Sequence, residues 1–355
     1  MLRKLLAKIS PIAGPLVGLV LVILIFGLWK PTLFFSSRVF INVLSNNYHF
    51  AVAAIGATFV IITAGIDLSV GSTMALACVC CAMTIKGFST PEFEIGQAIV
   101  IGGGIALLAA LSIGGRMRQL GERRWRTIGV SCGIGAACGL VAIGLWFLIA
   151  GHAVGPKPIA LGIVVGIAVG GVVGWINGLL VTSLSLPPFI VTLATLEAVR
   201  GTALYITNAI PVSNLPGGLK LAHYGSWFGL PPNILLTGIV LLVAIPILHY
   251  TVLGRYAYAI GSSERTARLC GVRVERWKTV CYVIAGICAG IAGVMMAAKF
   301  NGGPPDEFRG SELTIIAAVV IGGTSLFGGE GTVVGSVLGV LMLGFLYTGC
   351  NIADI

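Results

Sequence analysis

Long apolar runs, interrupted by short polar clusters, set the pattern of this chain. Counted against the roughly 20 residues that a helix needs to cross a bilayer core about 30 Å thick, the runs fall near 12–29, 41–64, 70–88, 97–114, 127–150, 159–182, 187–207, 232–253, 278–298, 312–325 and 331–349. They predict an all-α, polytopic transmembrane helical bundle, one domain over residues 1–355, with some helices broken at glycine-rich polar stretches.

Parity tests the count, because each crossing moves the next loop to the other side. With the N-terminus inside, the loop 115–126 falls inside with Arg116, Arg118, Arg123, Arg124 and Arg126. The loop 254–277 falls inside too, carrying Arg255, Arg265, Arg268, Arg273 and Arg276. The loop Asn208–Pro231, with Lys220 as its one Lys or Arg, falls outside. Both basic loops therefore share a face, as cytoplasmic loops do. An odd count leaves Cys350–Ile355 outside, so a further final helix beyond Ile355 is expected.

Composition agrees. The residues are 57% hydrophobic and 10% charged, and the mean hydropathy is +1.03, too little polar surface for a soluble domain of this length. The 51 glycines suit close helix approach in lipid. The net charge of +10 sits in short clusters between apolar runs, which reads as topology and not as a nucleic-acid surface. Cys78 and Cys81 have CxxC spacing but no accompanying His or second pair, so they read as helix packing. Arg3, Lys4 and Lys8 precede the run Pro15–Trp29, which no small-residue cleavage site follows, so an uncleaved first span is expected.

Four stretches carry candidate chemistry. Gly65–Ser72 places Asp67 and Ser69 between two apolar runs, where a carboxylate needs partners or water. Asp67 there is expected to accept from the N–H groups at 69 and 70 as a helix cap, or to line a polar path at a broken helix. A second interruption, Ile321–Ser336, follows a short span opened by Glu312. Asn177-Gly178, then Leu186-Pro187-Pro188-Phe189 and Thr192 and Thr195 on one helix face, offer hydroxyls to a polar solute or to their own helix. Gly254–Arg276 is a basic loop containing a short helix that begins near Ser263 and ends at Gly271. That short helix is a solvated linker or a stub that docks a cytosolic partner. No P-loop or HExxH occurs, so no catalytic residue, metal site or cofactor is expected.

Together Gly65–Ser72, Asn177–Thr195 with Arg200-Gly201, Gly254–Gly271 and Gly310–Ser336 resemble the permease subunits of bacterial ABC importers for monosaccharides, of the ribose, xylose and galactose type. Their order and spacing match over most of the chain outside 88–160. The resemblance implies an inner-membrane, multi-pass permease, in lipid and without nucleic acid, that pairs with a second permease subunit as homodimer or heterodimer. It further implies a separate cytosolic ATPase pair and a periplasmic sugar-binding protein. The segment Gly261–Gly271 would be the coupling loop resting on the ATPase, through Gly261, Glu264, Arg265, Ala267, Arg268 and Gly271. The chain departs from the ten-span pattern by an apparent inserted helix pair between 88 and 160, and has Ser263 where an Asn is usual. A solute path is expected past Asp67, Ser69, Asn177, Phe189, Thr192, Thr195 and Glu312. The alternatives are a permease for a nucleoside or branched-chain amino acid, an ion-coupled secondary transporter with Asp67 as the cation or proton site, or a scaffold that transports nothing.

Overall fold

The computed structural model describes residues 2–87, 159–216, 218–227 and 229–353. The expected segments 97–114 and 127–150, their basic loop and nearly all of the inserted pair at 88–160 lie outside the described residues.

Helices α1 (Leu2–Trp29), α2 (Pro31–Phe34), α3 (Ser37–Ile62) and α4 (Val70–Lys86) precede that gap. After it come α5 (Ile159–Ser183), α6 (Pro188–Thr207), strand β1 (Val212–Ser213) and α7 (Leu221–Tyr224). Helices α8 (Pro232–Tyr250), α9 (Val252–Ser262), α10 (Glu264–Leu269) and α11 (Val274–Phe300) follow, then strand β2 (Gly302–Gly303), α12 (Ser311–Ile321) and α13 (Val333–Ala353). The helix starts are written locally. Proline opens α2, α6 and α8, where its missing N–H costs nothing, and Ser36 caps α3 by accepting from the Val39 N–H.

Among the described residues six helices are long and apolar enough to cross a membrane: α1 over Ile12–Trp29, α5, α6, α8, α11 and α13. The chain is an all-α polytopic bundle, the two short strands aside. Its centre is α11, whose most apolar stretch is 72% buried, against 22% for α1 and 17% for α8 at the edge. Small residues permit that burial. A Cβ on Gly170 of α5 would stand 2.8 Å from the Gly290 backbone of α11, so these helices touch backbone to backbone, the packing that serves in lipid. Cys78 and Cys81 are buried in the core that surrounds them.

The loop 208–231 is tied to the chain leaving α11, since β1 pairs antiparallel with β2, Val212 opposite Gly303. Two expectations are corrected in detail. The expected span 312–325 is a half-helix, since the 11 residues of α12 reach about 16 Å at 1.5 Å per residue. The expected loop 254–277 is largely helical, with α9 and α10 meeting at Ser263.

Candidate functional site

The first helix break forms because α3 runs out of hydrogen-bonding register at Ile62. The Thr63 hydroxyl donates back to the Val60 carbonyl at 2.8 Å, and Ala64 turns the chain with φ of +57°. Past the turn, the backbone N–H and hydroxyl of Ser69 both donate to Asp67 Oδ1, at 2.9 and 2.7 Å. Ser69, not Asp67, holds the N-cap position of α4. Asp67 lies two residues outside the helix, so its carboxylate reaches the N–H of 69 and not that of 70.

Neighbouring helices fix this turn. Asn177 of α5 donates from Nδ2 to Ser69 Oγ at 2.8 Å, with Asp67 Oδ1 at 3.5 Å. Thr192 of α6 has its hydroxyl 3.2 Å from the Ile66 carbonyl and 2.9 Å from that of Pro188. Tyr282 of α11 donates to the same Ile66 carbonyl at 3.5 Å. Asp67, Ser69, Asn177 and Thr192 are all buried. These four come together as a packed polar knot, which supplies the partners a carboxylate needs at that depth.

The other sequence candidates lie elsewhere. Thr195 is buried and donates to Val191 of its own helix at 3.0 Å. Phe189, one turn before Thr192, is 52% exposed and takes no part in the knot. Glu312 opens the half-helix α12, its Oε1 accepting from the Gly310 N–H at 3.2 Å. Its Oε2 is buried without a hydrogen-bond partner, pressed against α4 where a Cβ on Gly71 would overlap it. The second break thus abuts the helix that the first break begins. Among the described residues no three His, Cys, Asp or Glu side chains converge to hold a metal.

The segment from Ser263 to Lys278 is cross-braced. Ser263 accepts from the Thr266 N–H, and α10 ends with Gly271 N–H to Arg268 carbonyl and Val272 N–H to Ala267 carbonyl, both 3.0 Å. Gly271 has φ of +80°, as this paired C-terminal closure requires. Glu264 binds Arg268 at 2.8 Å and Lys278 at 2.6 Å, and Arg268 also binds Glu275. Burial pushes the Glu264 carboxyl up, but the Lys278 and Arg268 hydrogen bonds outweigh it and hold the group below its usual value. Ala267 faces inward against Ile260 and Val274, while Arg265 is exposed and Leu269 is 83% exposed. The short helix therefore presents one free face.

Gly261 belongs to a different surface. It lies in α9, and a Cβ there would overlap the Ile62 carbonyl oxygen and the Gly329 amide nitrogen. Gly329 N–H itself donates to the Ile62 carbonyl at 2.9 Å, and the Tyr258 hydroxyl donates to the Gly331 carbonyl at 2.6 Å. The segment bearing α10 is thereby joined to the end of α3 and to the glycine turns after α12, that is, to both helix breaks.

One residue escaped the sequence reading. Glu197 stands midway along the 20 residues of α6, exposed with Phe189, Leu193, Ala194, Ala198 and Gly201 along one arc of the helix. A carboxylate facing lipid at that depth costs about 2.5–3.5 kcal/mol or more, so this position calls for polar surroundings. Its signal was plain: a lone acidic residue at the centre of an apolar run.

The chain was compared with known proteins. Residues 124–355 match the family described as a branched-chain amino acid transport system permease component. The ribose import permease protein RbsC of Escherichia coli (strain K12) is 31% identical over 346 residues, covering 96% of this chain and 86% of that protein. RbsC of Bacillus subtilis (strain 168) is 30% identical over 344 residues, covering 96% and 85%. The L-arabinose transport system permease protein AraH of Escherichia coli (strain K12) is 38% identical over 195 residues, 55% of this chain and 60% of that protein. No solved structure matches the chain. With buried helix breaks, a rigid stub helix joined to both of them and these matches along nearly its whole length, the chain belongs to the family of transport-system permease components.

Proposed function

We propose that this chain is the membrane permease of an ATP-driven importer in a bacterial inner membrane, carrying a pentose or hexose by alternating access. Ribose and arabinose are the solutes named for two of the relatives above. The observation that carries the reading is the junction at Gly261. An exposed stub helix, α10, is tied through α9 to both helix breaks, so a force applied at Leu269 and Arg265 reaches the centre of the bundle. That arrangement suits a partner that pushes from the cytosol, here a separate ATPase subunit, with Glu264, Arg268 and Gly271 keeping α10 stiff.

A second permease subunit covers the outward arc of α6. The solute passes between the subunits along Phe189 and Glu197, the ring offering a face to the sugar and the carboxylate accepting its hydroxyls. A periplasmic binding protein delivers it. Asp67, Ser69, Asn177 and Thr192 support this path from behind by fixing the helix break, and Thr195 by its place within α6. Glu312 does so at α12.

Reconstitution tests the reading. Vesicles holding the chain, its ATPase and its binding protein should accumulate labelled pentose or hexose only when ATP is supplied on the ATPase side. Uptake by the chain alone, driven by a proton or sodium gradient, would replace the importer with a secondary transporter.

A further inference from the structure

Resting on the permease reading above, we propose that Glu197 makes the path a charge filter, admitting neutral polyhydroxylated or cationic solutes and excluding anionic ones such as sugar acids and sugar phosphates. Phe189, Leu193, Glu197 and Gly201 recur at a spacing of four along the exposed arc of α6, so they form one stripe running the length of the helix. Within α6 the charged residues are Glu197 and Arg200. Arg200 is 6% exposed and turned into the bundle, which leaves Glu197 as the charge that α6 offers to a solute on this stripe.

The surroundings fit a solute. One turn beyond Glu197, a Cβ on Gly201 would find nothing within 4 Å, so the stripe has open space beside the carboxylate. A carboxylate only accepts hydrogen bonds, through two oxygens with about four lone-pair sites. It therefore receives the hydroxyls of a sugar and repels a carboxylate or phosphate. If two copies face each other, each contributes its Glu197, and the repulsion of anions doubles without any group being added.

The test uses cysteines placed one turn on either side, Leu193→Cys and Gly201→Cys, in the full chain in membranes. Labelling by a cationic and by an anionic methanethiosulfonate reagent is measured above that of the parent chain. The cationic reagent should react preferentially at both positions. Adding Glu197→Gln should lower the cationic-to-anionic rate ratio roughly tenfold, the effect of one charge about 6 Å away in a wet path, while Glu197→Asp should retain it. A ratio that Glu197→Gln leaves unchanged, at cysteines that do react, overturns the filter alone. Cysteines unreactive toward both reagents place the stripe in lipid or in a dry interface, which overturns the path and the filter with it.

Discussion

Gly261→Ala is the sharpest perturbation this structure offers, because the added methyl would meet backbone and not a side chain that can swing away. Its neighbours would be the Ile62 carbonyl oxygen and the Gly329 amide nitrogen, with Gly329 Cα at 3.1 Å. Overpacking of that kind costs about 1–3 kcal/mol, and prising Gly329 from Ile62 forfeits a hydrogen bond with a net value of about 1 kcal/mol. Alanine returns up to about 1 kcal/mol of helix propensity within α9. The balance is a loss of about 2 kcal/mol confined to the junction, roughly a 30-fold shift toward its open form. Amide exchange at 62–66 and 328–331 should accelerate, and in the reconstituted importer the solute moved per ATP hydrolysed should fall. Gly238→Ala in α8, where a Cβ meets nothing within 4 Å, is the control and should be neutral or slightly stabilising. If Gly261→Ala leaves both exchange and the transport ratio at the parental level, the junction does not transmit force and the reasoning fails.

Tyr258→Phe removes the hydroxyl that donates to the Gly331 carbonyl and should cost about 1–2 kcal/mol, read as a lowered transport-to-ATPase ratio with the chain still folded; an unaltered ratio would remove Tyr258 from the linkage. Asp67→Asn keeps an oxygen to accept from Ser69 and should fold nearly as well as the parent. Asp67→Ala strands those donors and should lower thermal stability by about 1–3 kcal/mol, so equal losses for the two would contradict a turn-holding role. Because the Glu264 carboxyl is held below its usual value, its contribution to α10 is present above the ordinary carboxylate range and is lost as pH falls through the depressed value. Exchange protection over 264–271 should therefore drop on acidification below about pH 4.5, and Glu264→Gln should weaken protection at neutral pH and flatten that dependence.

How far the chain discloses this architecture depends on which force writes each feature. Spans are legible because lipid accepts only continuous apolar helix, and segments such as 187–207 and 159–182 lie within a residue or so of α6 and α5. The end of α10 is legible because few residues besides glycine accept the φ that Gly271 adopts. Helix α9 was hidden, since its polar face lowers the average hydropathy of 252–262 and its arginine marks it as loop. Gly261 was expected in a coupling loop only through the resemblance to the importer permeases. That its missing side chain lets two backbones meet is a property of tertiary contact, which no local pattern records.

The same distinction separates the two carboxylates. Read from sequence alone, Asp67 and Glu197 raise one question, since each interrupts an apolar stretch and each demands compensation. Geometry answers it oppositely. Asp67 receives the Ser69 N–H and hydroxyl and has Asn177 beside it, so its demand is met within the chain and its consequence is a fixed turn. Glu197 is exposed and sits on an arc whose other members, Phe189 and Leu193, are 52% and 43% exposed. Among the described residues nothing along that arc donates to it, so its demand is left unmet by the helices around it. A glycine-flanked Asp draws the eye first, yet the acidic residue in the plainer helix is the one left facing outward.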